Sequence, residues 1–195
     1  MKYIESRLRV VPTSLLISIL LWAFLLWGIV LTPSISLAQS TDQYKIPRIS
    51  ERPQIDGEVG IAEWASALRV DVNIETDPGN NVAAAVTTEA MLMEDGEVLY
   101  VAFIAKDDNI SDLRAFLRDR DTTGRDDRVG IVLDTFNDER RAYEFYVNPY
   151  GVQSDIVYDD VNQRGDGSWN AIWDSAGQIG DDQYSVEMAI PLKQL

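Results

Sequence analysis

Cysteine and histidine are both absent from this 195-residue sequence. Without thiols there is no disulfide framework, no thiolate nucleophile and no zinc–thiolate site. Without imidazole there is no Ser-His-Asp triad, no imidazole base and no His-ligated zinc or haem. Haem held by methionine alone would have to use Met91, Met93 or Met188, all in segments that read as strands. Glycoside hydrolysis by two carboxylates survives both absences, since it needs only Asp and Glu. No pair motif supports it, however, and a pair such as Asp127 with Glu144 has no spacing that marks it out. The reading is therefore a protein that is not an enzyme.

Positive charge is also scarce. Lys and Arg number 17 against 32 Asp and Glu, a net charge of −15. The first 38 residues carry Lys2, Arg7 and Arg9 against Glu5, so the remainder sits near −17. Such a surface repels phosphate backbones, and no basic stripe with interleaved aromatics offsets it, which excludes a nucleic-acid partner. Acidity of this kind suits solubility, divalent cations or neutral ligands such as sugars.

One long apolar run is present, from Leu15 to Leu31, behind a polar and net basic start. Ser36-Leu37-Ala38 follows as a small-x-small exit. The three parts read as a signal peptide over residues 1–38, cleaved after Ala38, with an uncleaved anchor as the alternative. Either reading exports the domain at 39–195 to the periplasm, the outer membrane or the extracellular space.

Beyond that leader the dominant pattern is period two, the mark of strands. Val70, Val72 and Ile74 alternate with Asp71, Asn73 and Glu75, predicting one buried and one wet face. Val98–Ala105 is apolar on both faces, predicting a central strand covered on both sides. Val129, Ile131 and Leu133, then Tyr143, Phe145 and Val147, form further inward rows, and Tyr184, Val186, Met188 and Ile190 form the last. Glu94-Asp95-Gly96, Asn137-Asp138-Glu139 and Asn148-Pro149-Tyr150-Gly151 supply turns. Glu58–Leu68 and Ile110–Phe116 leave room for short helical turns, the first with Trp64 packed inward. The expectation is all-β: an antiparallel β-sandwich, jelly-roll or immunoglobulin-like.

Three acidic stretches could carry chemistry. Arg118-Asp119-Arg120-Asp121 through Asp126-Asp127-Arg128 is either a solvated loop or a binding edge. In the second case Arg118 and Arg120 would bond vicinal hydroxyls, and Asp121, Asp126 and Asp127 would suit Ca2+. The run from Asp159 to Asp166 begins like a calcium loop, but Arg164 occupies a ligand position and Ala171 the place of the bidentate Glu. That reading fails, and the stretch is expected to be a flexible loop. Asp181-Asp182 reads as a simple turn. Among the aromatics, Trp64 reads as core, whereas Trp169 and Trp173 are four apart and would share one face of a strand. An exposed indole there would stack on a pyranose ring.

Several motifs resemble family 9 carbohydrate-binding modules. They are Ile55-Asp56-Gly57 with Glu63-Trp64, Asp127-Arg128-Val129 with Leu133-Asp134-Thr135-Phe136, and Glu187-Met188-Ala189-Ile190-Pro191-Leu192. Arg118-Asp119-Arg120-Asp121, the run from Tyr143 to Asp155, and Trp169 with Trp173 resemble more closely a subgroup. That subgroup stands at the N-terminus of large exported bacterial proteins with a C-terminal outer-membrane β-barrel. The resemblance covers about residues 45–195. It implies an antiparallel β-sandwich, carbohydrate as the partner, often bound calcium, and a longer protein that continues toward a barrel. It also implies a sugar held between two Trp side chains and polar groups. Trp173 or Trp169 matches the late aromatic, Arg118, Arg120 and Asn148 supply hydrogen bonds, and no second Trp lies between Trp64 and Trp169, so Tyr150 is the substitute.

Overall fold

The structure, a computed structural model, describes residues 44–195. The predicted signal peptide and its cleavage point lie outside the described residues. Among the described residues nine strands form two antiparallel sheets. They are β1 (Leu68–Glu75), β2 (Val82–Glu94), β3 (Val98–Lys106), β4 (Val129–Leu133), β5 (Arg141–Val147), β6 (Gln153–Asp159), β7 (Arg164–Asp166), β8 (Asp174–Ile179) and β9 (Gln183–Pro191). The larger sheet runs β1-β2-β3-β9-β8 and the smaller β4-β5-β6-β7. This is the expected sandwich.

The main core lies between the sheets. Leu99, Val101 and Phe103 of β3 and Val186, Met188 and Ile190 of β9 meet Val129, Phe145 and Val147 from the smaller sheet. Each set is one parity of its strand, so alternation in the sequence becomes a packed layer. A second core covers the opposite face of the larger sheet. There Met91, Met93, Tyr100, Ala102 and Ala189 pack on Trp64, Ile49, Ile55 and Val59 from the segment that precedes β1. That wrap explains why β3 is apolar on both faces. It also separates Met91 and Met93 from Met188, which belongs to the other core.

Glu187 lies in the second core although its parity on β9 reads as the polar side. Its side chain is fully buried. Oε1 accepts the Trp64 indole N–H at 2.8 Å, and Oε2 accepts Asp56 N at 3.0 Å and Gly57 N at 2.8 Å. One carboxylate thereby pins the turn at 56–57 and the helical turn at Trp64 to the central strand. Burial pushes its carboxyl above the usual value, and the three donors offset only part of that.

Other expectations need correction. Val72 and Ile74 have the inward parity, yet they are 46% and 56% exposed. Neither side chain belongs to either core, so this part of β1 has no covering layer among the described residues. The stretch 159–166 is not a flexible loop: Asp159 closes β6, and Arg164–Asp166 forms β7. β8 escaped the hydrophobic pattern because its middle is small. A Cβ on Gly177 would come within 2.5 Å of the Pro149 carbonyl oxygen, so the strand needs glycine where two backbones touch.

Candidate functional site

The acidic–basic run 118–128 is built inward rather than as a solvated edge. Arg120 donates from Nη2 to a buried Asp155 carboxylate and, at 2.8 Å, to the carbonyl of Ala171, and from Nη1 to Gln153 at 3.0 Å. Asp155 Oδ2 in turn accepts Ala171 N at 2.6 Å. Arg118 pairs with the buried Asp126 at 3.0 Å. Asn148, also fully buried, donates from Nδ2 to Asp126 Oδ2 and to the carbonyl of Phe116, both at 2.9 Å. Its Oδ1 accepts Tyr150 N and Val152 N at 3.0 Å, which shapes the 148–151 turn. These charges knit the loop ahead of β4 onto β6 and onto the segment 167–173.

The predicted sugar-stacking platform is overturned in part. Trp173 is 5% exposed, and its ring meets Phe145 edge-on at 5.2 Å. Trp169 is half-buried, 5.0 Å from the ring of Tyr143 and 5.8 Å from that of Phe145. The two indoles do share a face, as their spacing predicts, but that face is the core. Nor is their segment a strand. The amide and carbonyl of Ala171 bond Asp155 and Arg120, so a ladder partner is replaced by two side chains. Of the six residues expected to bind sugar, Asn148 and Trp173 are enclosed. Arg118, Arg120 and Trp169 are partly exposed, and Tyr150 is 46% exposed.

The three carboxylates expected to hold calcium do not converge. Asp126 faces Arg118, Asp127 Oδ2 accepts Arg114 N at 2.7 Å, and Asp121 Oδ1 accepts Asp155 N at 3.1 Å. Among the described residues no three metal-ligating side chains form a cluster. A cation at these positions would have to compete with protein donors already in place, so calcium does not fit this donor set.

What the sequence left unmarked is the open surface. An interlayer opening of about 440 Å3 lies beside β4, lined by Val72, Val86, Phe103, Leu113, Arg128 and Tyr184. Arg128 also stacks 3.9 Å above the Tyr146 ring on the outer face of the smaller sheet. At the far end of that sheet two further openings, about 450 and 780 Å3, are bounded by Phe136, Arg140, Arg141, Asp159, Asn162 and Arg164. The only signal for these last residues is arginine at hairpin turns of an otherwise acidic chain.

Two packed antiparallel sheets with shallow, polar-rimmed openings define a β-sandwich domain. The chain belongs to the family described as carbohydrate family 9 binding domain-like, which matches residues 55–195. No curated protein matches it in sequence. Among solved structures, a candidate carbohydrate-binding protein from Bacteroides uniformis is similar at a TM-score of 0.61 and 12% identity, over 76% of this chain and 72% of that one. A family 9 module from Caldicellulosiruptor kristjanssonii, solved with cellotriose, gives 0.51 and 21% over 75% and 66%. The same module with glucose gives 0.51 and 21% over 75% and 67%. This chain thus spans about two thirds of that module, and at such identities the likeness concerns the fold.

Proposed function

We propose that this protein is an exported, non-catalytic carbohydrate-binding module that serves the degradation or uptake of polysaccharides. The observation that carries the reading is the family match, which runs through nearly the whole sandwich. The ligands held by the similar Caldicellulosiruptor module support it, as does an acidic surface suited to neutral ligands. Titration calorimetry with cellotriose and glucose is expected to show binding without hydrolysis. Silence with both sugars and across a glycan array would remove the reading. Export predicts a mature protein beginning at Gln39, and recovery of intact Met1 by N-terminal sequencing would contradict cleavage.

The burial of Trp173 and the packing of Trp169 favour a second reading, an interaction module that kept the sandwich and lost a sugar site. In the exported proteins that the sequence resembles, its partner would be the β-barrel. Capture of a membrane protein by a domain with no glycan affinity would favour this alternative.

A further inference from the structure

Resting on the carbohydrate-binding reading, we propose that two adjoining hairpin turns at one end of the smaller sheet form the sugar site. It is a trough for a neutral oligosaccharide in which Arg140, Arg141 and Arg164 hold hydroxyls and Phe136 meets an apolar sugar face. Residues 134–140 join β4 to β5, and 160–163 join β6 to β7. The register sets Arg141 opposite Asp159, and Asp159 opposite Arg164, three residues abreast across three strands. The openings of about 450 and 780 Å3 share Arg141, Asp159 and Asn162, so they adjoin as two lobes on either side of one wall. A bond of 2.8 Å from Asp160 N to the Arg140 carbonyl ties the turns together.

The acidic groups here are largely spent on the turns. Asp134 accepts Phe136 N and Glu139 N, Asp138 accepts Arg140 N, and Asp159 accepts Val161 N and Asn162 N. The Asn162 amide, bonded to Asp159 Oδ2 at 2.8 Å, holds that carboxyl below its usual range. Glu139 and Gln163 have φ of 55° and 52°, left-handed values that only a well-determined turn imposes on such residues. Arg140, Arg141 and Arg164, by contrast, enter no ion pair among the described residues. The turn backbones are thus fixed while the guanidinium donors stay available to a ligand.

Charge selects the ligand class. The three arginines balance Asp138, Asp159 and Asp166 along the lining, and the whole chain is strongly acidic. A polyanionic glycan therefore gains little from the trough and is repelled by the rest of the surface. Neutral sugar hydroxyls both donate and accept, and so suit a lining of guanidinium donors and carboxylate oxygens. Phe136, 68% exposed, supplies the ring for C–H stacking. Two lobes with a shared wall call for at least two linked sugar units.

The full chain, labelled with 15N, is titrated with cellotriose, xylotriose and mannotriose and followed by amide NMR and calorimetry. Shifts are expected to gather at residues 136–141 and 159–166. Arg141→Ala combined with Arg164→Ala should weaken binding about tenfold or more, the loss of a charge-assisted hydrogen bond, with Arg69→Ala as an unaffected control. Arg164→Lys, which keeps charge but loses the planar fork, should weaken it several-fold should the double variant fail to fold. Wild-type affinity in these variants, or shifts confined to other surfaces, overturns the trough while leaving the carbohydrate reading intact. If the wild type binds none of the three sugars the trough falls, and silence across a glycan array as well removes the carbohydrate reading with it.

Discussion

Two groups of arginines sit at opposite ends of the smaller sheet, and the structure uses them in opposite ways. Arg118 and Arg120 face carboxylates with fully buried side chains, Asp126 and Asp155. Arg140, Arg141 and Arg164 stand at hairpin turns whose carboxylates are already engaged by backbone amides. The first group holds three loops together; the second leaves its donors to solvent. Charge alternation alone does not separate these roles. What separates them is whether the opposing carboxylate is enclosed, as Asp126 and Asp155 are, or reaches solvent, as Asp138, Asp159 and Asp166 do.

The contrast can be broken by mutation. The largest effect is expected from Asp155→Ala, which removes the buried carboxylate facing Arg120 and leaves Ala171 N without its acceptor. Loss of a buried partner of this kind costs about 3 kcal/mol or more, read from urea unfolding. A loss below about 1 kcal/mol would place the pair among ordinary surface contacts. Arg118→Ala should cost about 2 kcal/mol, because Asp126 stays buried but keeps the Asn148 amide.

Glu187 offers a third case, a buried carboxylate with no cation at all. Its folded value lies above the usual 4.5, so within that window the native state holds a proton that the unfolded chain has released. Stability must then fall as pH rises through the window and stay lower above it. Urea unfolding of wild type from about pH 4 to about pH 7 should show this decline, and Glu187→Gln should flatten it. Equal slopes in both proteins would assign the pH dependence elsewhere. The smallest effect is expected at the trough, where the Arg141→Ala and Arg164→Ala double variant should leave the thermal midpoint unchanged. A clear drop there would mean that these arginines are structural too.

Most of the fold was legible because period-two alternation reports which side chains share a face. β5 and β9 follow it closely, β3 is apolar on both faces because both are covered, and the turns at Gly96 and Gly151 take the left-handed φ that glycine marks. Burial was less legible, since parity says nothing about whether an opposing layer exists. Val72 and Ile74 have the right parity and no cover, whereas Glu187 has the polar parity and lies beneath Trp64. The predicted site was legible only as chemistry. Arg118, Arg120, Asn148 and Trp173 do lie in one region, but the partners of Arg120, Asp155 and Ala171, lie 35 and 51 residues away in the chain, and they turn its guanidinium inward. The trough was hidden because its members sit in turns that read as a loop.

The carboxylate of Glu187 also bears on how the chain reaches its native state. It joins β9 to Asp56 across 131 positions and to Trp64 across 123, while β9 itself runs between β3 and β8. The larger sheet and its second core therefore close only after one of the most distant contacts in the domain has been found. Loop closure of that span precedes its reward, which places this fold among slow folders. Until β9 arrives, the indole of Trp64 has no acceptor, and the apolar faces of β2 and β3 stay open to chaperones or to one another.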